Sequence, residues 1–349
     1  MRKSFIKTAA LTTMLTVCLS ATAFAGDMVL AENTTGIIEE NNEKSGLLID
    51  NDAVSEMLQN DLKENPHYVE NPVFTESIGA KLKKSAEYQV NAGEGDIYEP
   101  NNGPAAATQG KSGSKVNATI HADTDVDWYG FQVTQADVND GVIYSFILTN
   151  IPIGCDYDMY LLDETFAGYA DLQSGNTTEQ FYLTFNTAGT YYVAVQSDLG
   201  YSDSAYTLYF GRTYKSGYRS YTDTGLTYNF GNIPLGNTTE MFTGWLSYNL
   251  TNATDIPDSA IVERFYLTDH GNGAYWIGLS KWLAAQNGDI YKQYGGILLM
   301  DMNYGNNYYV KQNWSIRGSI IHSNYFVWTP KVAIEYQYPV IPQNLRFIN

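Results

Sequence analysis

The feature that most constrains the fold is a succession of short apolar runs from residue 93 onward, separated by Gly, Asn and Asp. In its first part, the runs cover 128–133, 142–148, 159–162, 181–185, 191–195 and 206–210. In its second part, they cover 242–250, 261–267, 275–279, 297–302, 308–316 and 332–338. Aromatic and β-branched residues recurring at roughly ten-residue intervals predict an all-β protein with two jelly-roll-like β-sandwich domains. For Ser280–Gln286, a single helical turn is the alternative to a strand.

Two segments precede the strands. Residues 1–25 join early basic charges to an apolar run and close on Ala23-Phe24-Ala25, which has the form of a signal-peptidase site. We therefore expect a secreted protein, with non-covalent association with the cell surface as an alternative. Residues 26–92 carry 13 acidic and 5 basic side chains, and they predict a mostly disordered acidic linker with one short helix. The sandwiches then occupy 93–211 and the Tyr- and Trp-rich 212–349.

Charge restricts the partners of such a chain. The formal net charge is −18, from 38 acidic and 20 basic side chains. A surface this negative repels phosphate backbones and anionic lipids, so nucleic acid and membrane surfaces are poor partners. No run after the signal segment is apolar for long enough to anchor the chain, so we expect no membrane insertion. Cations, and calcium in particular, suit it better. Once the signal segment is removed, Cys155 is the remaining cysteine, which leaves no internal disulfide, and we expect a monomer.

The acidic residues of the first sandwich form two clusters with the chemistry of a metal site. One is Asp96–Asn102 and the other is Asp123–Asp127, in which the carboxylates alternate. Calcium takes six to eight oxygen ligands and tolerates irregular geometry. An EF-hand is excluded because Trp128 occupies the position where that loop needs glycine. A solvated acidic turn is the alternative to a calcium site.

These clusters belong to a longer series of motifs. In order, the series is Glu99-Pro-Asn-Asn102, Asp125-x-Asp127-Trp-Tyr-x-Phe131, Asp156-x-Asp158-Met-Tyr-Leu-Leu-Asp163, Ala188-Gly-Thr-Tyr-Tyr-Val-Ala-Val195 and Tyr206-x-Leu208. The series resembles the bacterial pre-peptidase C-terminal domain, an accessory jelly-roll sandwich of secreted proteases that is similar to the collagen-binding domains of clostridial collagenases. The resemblance is confined to residues 93–211.

The resemblance implies a calcium ion held between the Glu-Pro-Asn segment and the aspartate turn. The ligands implied are Glu99, Asn101, Asn102, Asp125 and Asp127. Ile97 stands where the collagenase relatives carry an acidic residue, and Asn102 replaces the commoner aspartate. Both differences remove negative charge, which implies weaker affinity or a single ion.

No catalytic residue is assigned. Only about 67 residues separate the signal segment from the first sandwich, too few for a catalytic domain. The chain lacks His-Glu-x-x-His and Gly-x-Ser-x-Gly, and none of its four histidines has a partner at zinc spacing. A secreted hydrolase remains the alternative, with a carboxylate pair among Glu263, Asp269 and Asp301.

Tyrosine is unusually abundant, with 29 residues, and most of these rings are expected in the core. Tyr304, Tyr308 and Tyr309 lie in a Gly- and Asn-rich stretch, where exposed rings could contact a ligand. The resemblance implies the same role for Tyr191, Tyr201 and Tyr206. The leading hypothesis is therefore a non-catalytic binding or adhesion protein that recognises extracellular protein or polysaccharide. A structural cell-surface or matrix protein is the second alternative to it, after the hydrolase.

Overall fold

The computed structural model describes residues 56–83, 96–110, 113–269, 279–294, 298–301, 308–324 and 327–348. Its helices are short: α1 (Glu56–Lys63), α2 (Glu76–Lys83), α3 (Gln135–Asn139) and a 3₁₀ helix (Pro342–Phe347). Within the described part of the chain, no helix has both the length and the apolar character needed to cross a bilayer.

The first sandwich is formed by two five-stranded sheets. Its strands are β1 (Tyr68–Val69), β2 (Thr108–Gln109), β3 (Ser114–Ala118), β4 (Val126–Val133), β5 (Ile143–Thr149), β6 (Asp156–Leu162), β7 (Gly168–Tyr169), β8 (Glu179–Thr184), β9 (Gly189–Leu199) and β10 (Tyr206–Arg212). One sheet has the order β1-β8-β5-β10-β3, and the other has the order β2-β4-β9-β6-β7. All six strands predicted for this domain are present.

Aromatic side chains fill the space between these two sheets. Phe131 from β4 lies with its ring centroid 5.8 Å from that of Phe146 on β5 and 5.6 Å from that of Phe210 on β10. All three rings are buried. Because each strand sends alternate side chains into this layer, the aromatic alternation in the sequence becomes one core.

The second sandwich continues directly from the first. Its strands are β11 (Tyr214–Tyr221), β12 (Tyr228–Asn229), β13 (Asn232–Ile233), β14 (Met241–Phe242), β15 (Leu246–Asn249), β16 (Ile261–Asp269), β17 (Ser280–Ala284), β18 (Ile290–Tyr294), β19 (Leu298–Asp301), β20 (Asn313–Ile320), β21 (Ser323–Asn324), β22 (Val327–Trp328) and β23 (Pro330–Pro339). The larger sheets have the orders β11-β23-β16-β19 and β14-β20-β17-β18, with β15 also paired to β20. The predicted all-β class is confirmed.

The helical alternative for Ser280–Gln286 is wrong. Residues Ser280–Ala284 form β17, which pairs with both β18 and β20. Leu283 is buried in the core while Trp282 is half-buried on the opposite face. This alternation has the period of a strand, and two neighbouring strands satisfy its backbone hydrogen bonds. Most of the predicted strand 275–279 lies outside the described residues.

Residues 56–83 are packed against the sandwiches, which differs from the predicted linker. The predicted short helix is present as α1, and its Leu58 and Leu62 are buried. They share a cluster with Tyr182 of the first sandwich and with Tyr214 and Ile261 of the second. α1 therefore contacts both sandwiches. The acidic composition of this segment does not indicate packing, because a few apolar residues on one face of the helix are sufficient for it.

The C-terminal segment also joins the two sandwiches. Val340, Leu345 and Ile348 are buried against Ile147 and Tyr209 of the first sandwich. Ser145 Oγ donates a hydrogen bond to the carbonyl of Val340 over 2.9 Å. Apolar contact and hydrogen bonding thus fix the end of the second sandwich on the outer face of the first.

Candidate metal centre

Two loops meet beside the start of β4. The first runs from Asp96 to Asn102, and the second is the turn from His121 to Asp125 that leads into the strand. Trp128 N–H donates to the carbonyl of Asn101 over 3.0 Å, and Val126 N–H donates to Asn102 Oδ1 over 3.1 Å. These two bonds fix the first loop against β4, so the acidic residues of both loops are brought together.

In the first loop, Glu99 and Asn101 each leave polar atoms unpartnered. Glu99 Oε2 accepts hydrogen bonds from Asn101 N–H and from Asn102 Nδ2, both over 3.0 Å. Its other oxygen, Oε1, is buried and has no hydrogen-bond partner. Asn101 is fully buried, and neither its Oδ1 nor its Nδ2 has a partner.

Asp125 and Asp127, at the end of the second loop and the start of β4, each have one carboxylate oxygen without a hydrogen-bond partner. Asp125 Oδ2 accepts from His121 N–H over 2.9 Å and lies 2.7 Å from His121 Nδ1, while Oδ1 has no partner. Asp127 Oδ2 accepts from the Tyr206 hydroxyl over 2.5 Å, and its Oδ1 also has no partner. Ligand atoms of Glu99, His121 and Asp125 all lie within 4.8 Å of one another.

The electrostatics of the cluster oppose three negative charges. Burial raises the pKa of Glu99 and of Asp125 above the usual range, and Coulombic repulsion from a neighbouring carboxylate adds to each shift. Burial raises the pKa of Asp127 further, and repulsion from Asp125 raises it again. Desolvation and like charge both disfavour the ionised forms. A bound cation would offset both effects.

The chemistry of the orphaned atoms fits a hard cation. Buried polar atoms in folded proteins nearly always have a hydrogen-bond partner. Here four side-chain oxygens lack one, on Glu99, Asn101, Asp125 and Asp127. Carboxylate and amide oxygens are the donors that calcium prefers, whereas zinc prefers nitrogen and sulfur. The donor set therefore fits calcium.

Asn102, the fifth predicted ligand, has a different position. Both ends of its side chain are already used, because Nδ2 donates to Glu99 and Oδ1 accepts from Val126. It orients Glu99 and connects the two loops. The commoner aspartate would have no N–H to donate at this point, which gives a physical reason for the amide in this chain.

His121 is the member of the cluster that sequence reasoning missed. Its Nδ1 lies 2.7 Å from Asp125 Oδ2 and 3.7 Å from Glu99 Oε1. A search for histidine pairs at zinc spacing cannot find it, because its neighbours are carboxylates from two loops. The four-residue separation from Asp125 is the available signal. Asp96 plays a supporting role, since its Oδ2 accepts from Thr119 N–H over 2.6 Å.

Three of the tyrosines predicted as ligand contacts are buried, and for these the prediction is wrong. Tyr191 lies in the core with its hydroxyl donating to the carbonyl of Thr187, and Tyr206 is fully buried with its hydroxyl donating to Asp127. The Tyr308 hydroxyl bonds to Asp289 and Tyr291. Each ring fills the interior while its hydroxyl finds an internal partner, which removes the face that a ligand would need.

The other three tyrosines have separate outcomes. Tyr309 is half-buried and donates to Asp61 of α1 over 2.5 Å, so it joins the helix to the second sandwich. Tyr201 is 58% exposed, and its binding role stays a prediction. Tyr304 lies outside the described residues.

The backbone separates two of the carboxylates considered for a hydrolase. Glu263 and Asp269 lie on the same strand, six residues apart, a separation of roughly 20 Å. This is far beyond the spacing of roughly 5–10 Å that a glycosidase pair needs. Asp301 lies in register opposite Arg264 on the neighbouring strand.

Comparison with known proteins gives structural similarities alone. No protein-family model matches the sequence, and no curated protein is similar to it. A protein from Eubacterium rectale described as secreted aligns over 73% of this chain and 88% of its own, with 12% identity and a TM-score of 0.31. The pre-peptidase C-terminal domain of a collagenase from Bacillus anthracis aligns over 30% of this chain and 93% of its own, with 20% identity and a TM-score of 0.20. These similarities name no ligand and no activity for this chain.

Proposed function

We propose that this chain is a secreted, non-catalytic binding protein whose first sandwich is a pre-peptidase C-terminal-like module stabilised by one calcium ion. The observation that carries the calcium assignment is the set of four buried side-chain oxygens without partners, on Glu99, Asn101, Asp125 and Asp127. The motif series that resembles the pre-peptidase C-terminal domain supports the same site independently. Calcium would satisfy the orphaned oxygens and compensate the carboxylates together.

Each residue has a definite role in this proposal. Glu99, Asn101, Asp125 and Asp127 would hold the ion through their free oxygens. Tyr206 orients Asp127 through its hydroxyl, and Asn102 and His121 orient Glu99 and Asp125 in the same way. Hydrogen-bonded neighbours of this kind fix ligand orientation and raise affinity. Since the centre joins the loop before β2 to the turn before β4, calcium would fix the edge of one sheet.

The predicted consequence is stability that depends on calcium. A ligand that binds only the folded state at 100 times its dissociation constant adds about 2.7 kcal/mol to the free energy of unfolding. For a chain of this size, the melting temperature should then rise by roughly 5–10 °C. Differential scanning calorimetry of the full chain in calcium and in EGTA measures this difference directly.

Two other metals provide the controls for this measurement. Magnesium needs near-ideal octahedral geometry and gives up its water reluctantly, so it should produce little of the shift. Zinc would act through His121, and a rise in melting temperature in zinc greater than in calcium would contradict the assignment. Equal melting temperatures in calcium and EGTA would also contradict it.

Asn102 provides a separate test of how the site is organised. Replacing Asn102 with alanine removes the hydrogen bonds to Glu99 and from Val126 but none of the four free oxygens. We expect calcium affinity to fall about 10–100-fold, as for other residues that orient metal ligands. Isothermal titration of the variant measures the affinity. An affinity equal to that of the wild type would show that Asn102 has no orienting role.

A further inference from the structure

A row of cationic and aromatic side chains crosses the outer face of the second sandwich. Trp282 on β17 lies in register opposite Lys292 of β18 on one side and Arg317 of β20 on the other. Their chain neighbours Leu283 and Ile316 are buried in the core. Since successive side chains of a strand point to opposite faces, this row faces away from the core.

Arg317 is surrounded by aromatic rings. Its Cζ lies 4.5 Å from the ring centroids of both Trp245 and Trp282, and 4.7 Å from that of Phe242. We call these four residues the aromatic–arginine patch. Each contact has the geometry of a cation–π interaction. The rings hold the guanidinium in one place and reduce its contact with water.

Arg317 has no counter-ion among the described residues. Its Nε is buried without a hydrogen-bond partner, and the ion pairs between described residues involve other basic side chains. The neighbouring Lys292 is compensated, because its Nζ lies 3.2 Å from both carboxylate oxygens of Glu240. Glu240 in turn accepts from Ser319 over 2.6 Å. In a chain with net charge −18, an arginine left without a carboxylate partner indicates a ligand.

The rings around this arginine are partly exposed. Phe242 is 49% exposed and Trp245 is 36% exposed. Phe242 also borders a groove of about 500 Å³ that is lined in addition by residues 227–233. Exposed aromatic side chains beside a groove are typical of a binding site.

We propose that the aromatic–arginine patch binds a carboxylated polysaccharide. A guanidinium donates two parallel N–H bonds to a carboxylate, and exposed aromatic faces bind the apolar side of a ring. A chain of sugars with acidic groups presents both features in alternation. The inference rests on the proposed function of an extracellular binding protein, and it identifies the ligand class and the surface.

The overall negative charge does not prevent such binding. At physiological ionic strength the Debye length is about 8 Å, so exposed acidic groups beyond that distance are largely screened. Among the described residues of the row, Arg317 and Lys292 carry two positive charges against one carboxylate, that of Glu240. The local charge is therefore positive. Binding should weaken as salt increases.

The test uses the full chain in calcium and defined saccharides. Isothermal titration is performed with hyaluronan octasaccharide, with the same octasaccharide after reduction of its carboxyl groups to alcohols, with polygalacturonate and alginate oligosaccharides, and with poly-glutamate. We expect at least one carboxylated saccharide to bind and the carboxyl-reduced octasaccharide to bind at least about 10-fold more weakly than its parent. No binding to any of the three acidic saccharides overturns the proposal. Binding of poly-glutamate alone assigns the patch to acidic protein and also overturns it.

Variants locate the site. Arg317→Gln should lower the affinity roughly 10–100-fold, and Trp245→Ala, which truncates an exposed ring, roughly 10-fold. The control is Arg219→Gln. Arg219 lies on β11 of the other sheet and already pairs with Asp255 over 2.8 Å, so this variant should bind as the wild type does. Wild-type affinity in both patch variants would overturn the proposal.

Failure of this inference can be distinguished from failure of the calcium proposal. Each variant is also melted in calcium and in EGTA, and its calcium-dependent rise in melting temperature should equal that of the wild type. Loss of saccharide binding with this rise retained affects the patch alone. Trp245→Ala is the second patch variant because the Trp245 ring lies at the surface, where its truncation should leave the fold intact. It tests the site even if Arg317→Gln does not fold.

Discussion

Replacing Asp127 with asparagine should abolish the calcium-dependent rise in melting temperature without destabilising the protein in EGTA. Asparagine keeps an oxygen that can accept the hydrogen bond from Tyr206, but it removes a fully buried negative charge. In the absence of calcium, that charge is desolvated and repelled by Asp125, so its removal is neutral or stabilising. In calcium, the variant lacks an anionic ligand and should lose most of the roughly 5–10 °C rise.

The matched control for this variant is Asp137→Asn. Asp137 is also a buried aspartate of the first sandwich, but it pairs with Arg212 over 2.6 Å and caps α3. Its replacement should lower the free energy of unfolding by about 1–3 kcal/mol equally in calcium and in EGTA. Scanning calorimetry of both variants separates the two roles. A D127N protein that keeps the full calcium-dependent rise would remove Asp127 from the site.

Replacing Leu58 with alanine should lower the free energy of unfolding by about 2–5 kcal/mol. Leu58 is fully buried between Tyr182 of the first sandwich and Ile261 of the second. Truncation leaves a cavity lined by both domains. Because α1 has only eight residues, it cannot be stable without this contact. The loss is therefore expected to detach the helix from the sandwiches.

Urea denaturation measures the effect on stability, and hydrogen exchange of residues 56–63 reports on the helix itself. The control is Lys63→Ala, an exposed position on the same helix, which should change stability by less than about 0.5 kcal/mol. If L58A has the stability of the wild type, residues 56–63 do not contribute to the fold and the linker interpretation applies after all.

Strands could be predicted from this sequence more reliably than connections. Residues 128–133 form most of β4. The two-residue period of their side chains is that of a strand, and it can be recognised without knowing which strands pack together. For α1 the sequence predicts a short helix within a linker, because the residues that cover its apolar face, Tyr182 and Tyr214, lie more than 100 residues away in the chain. The amino-acid composition of residues 56–63 does not show whether this helix is buried, because its burial depends on the residues that pack against it.

In the candidate metal centre, too, some features can be predicted from the sequence and others depend on the fold. Glu99, Asn101, Asp125 and Asp127 can be selected from the sequence, since donor chemistry and motif order are properties of the sequence, and their role as calcium ligands stays a prediction. The roles of Asn102 and His121 depend on which atoms face each other, and that is fixed by the meeting of two loops. The exposure of individual tyrosines cannot be predicted from the sequence either. Tyr191 is buried and Tyr201 is exposed because different residues pack on them, and their local sequences do not show this.

The most direct test of the calcium centre is anomalous diffraction from crystals grown in calcium, with data collected at a long wavelength. We expect one anomalous peak per chain, surrounded by Glu99 Oε1 and the Oδ1 atoms of Asn101, Asp125 and Asp127. The distances to these oxygens should be about 2.3–2.6 Å. A peak at any other position, or ordered density for these four residues with no peak between them, would contradict the assignment of a calcium ion to this site.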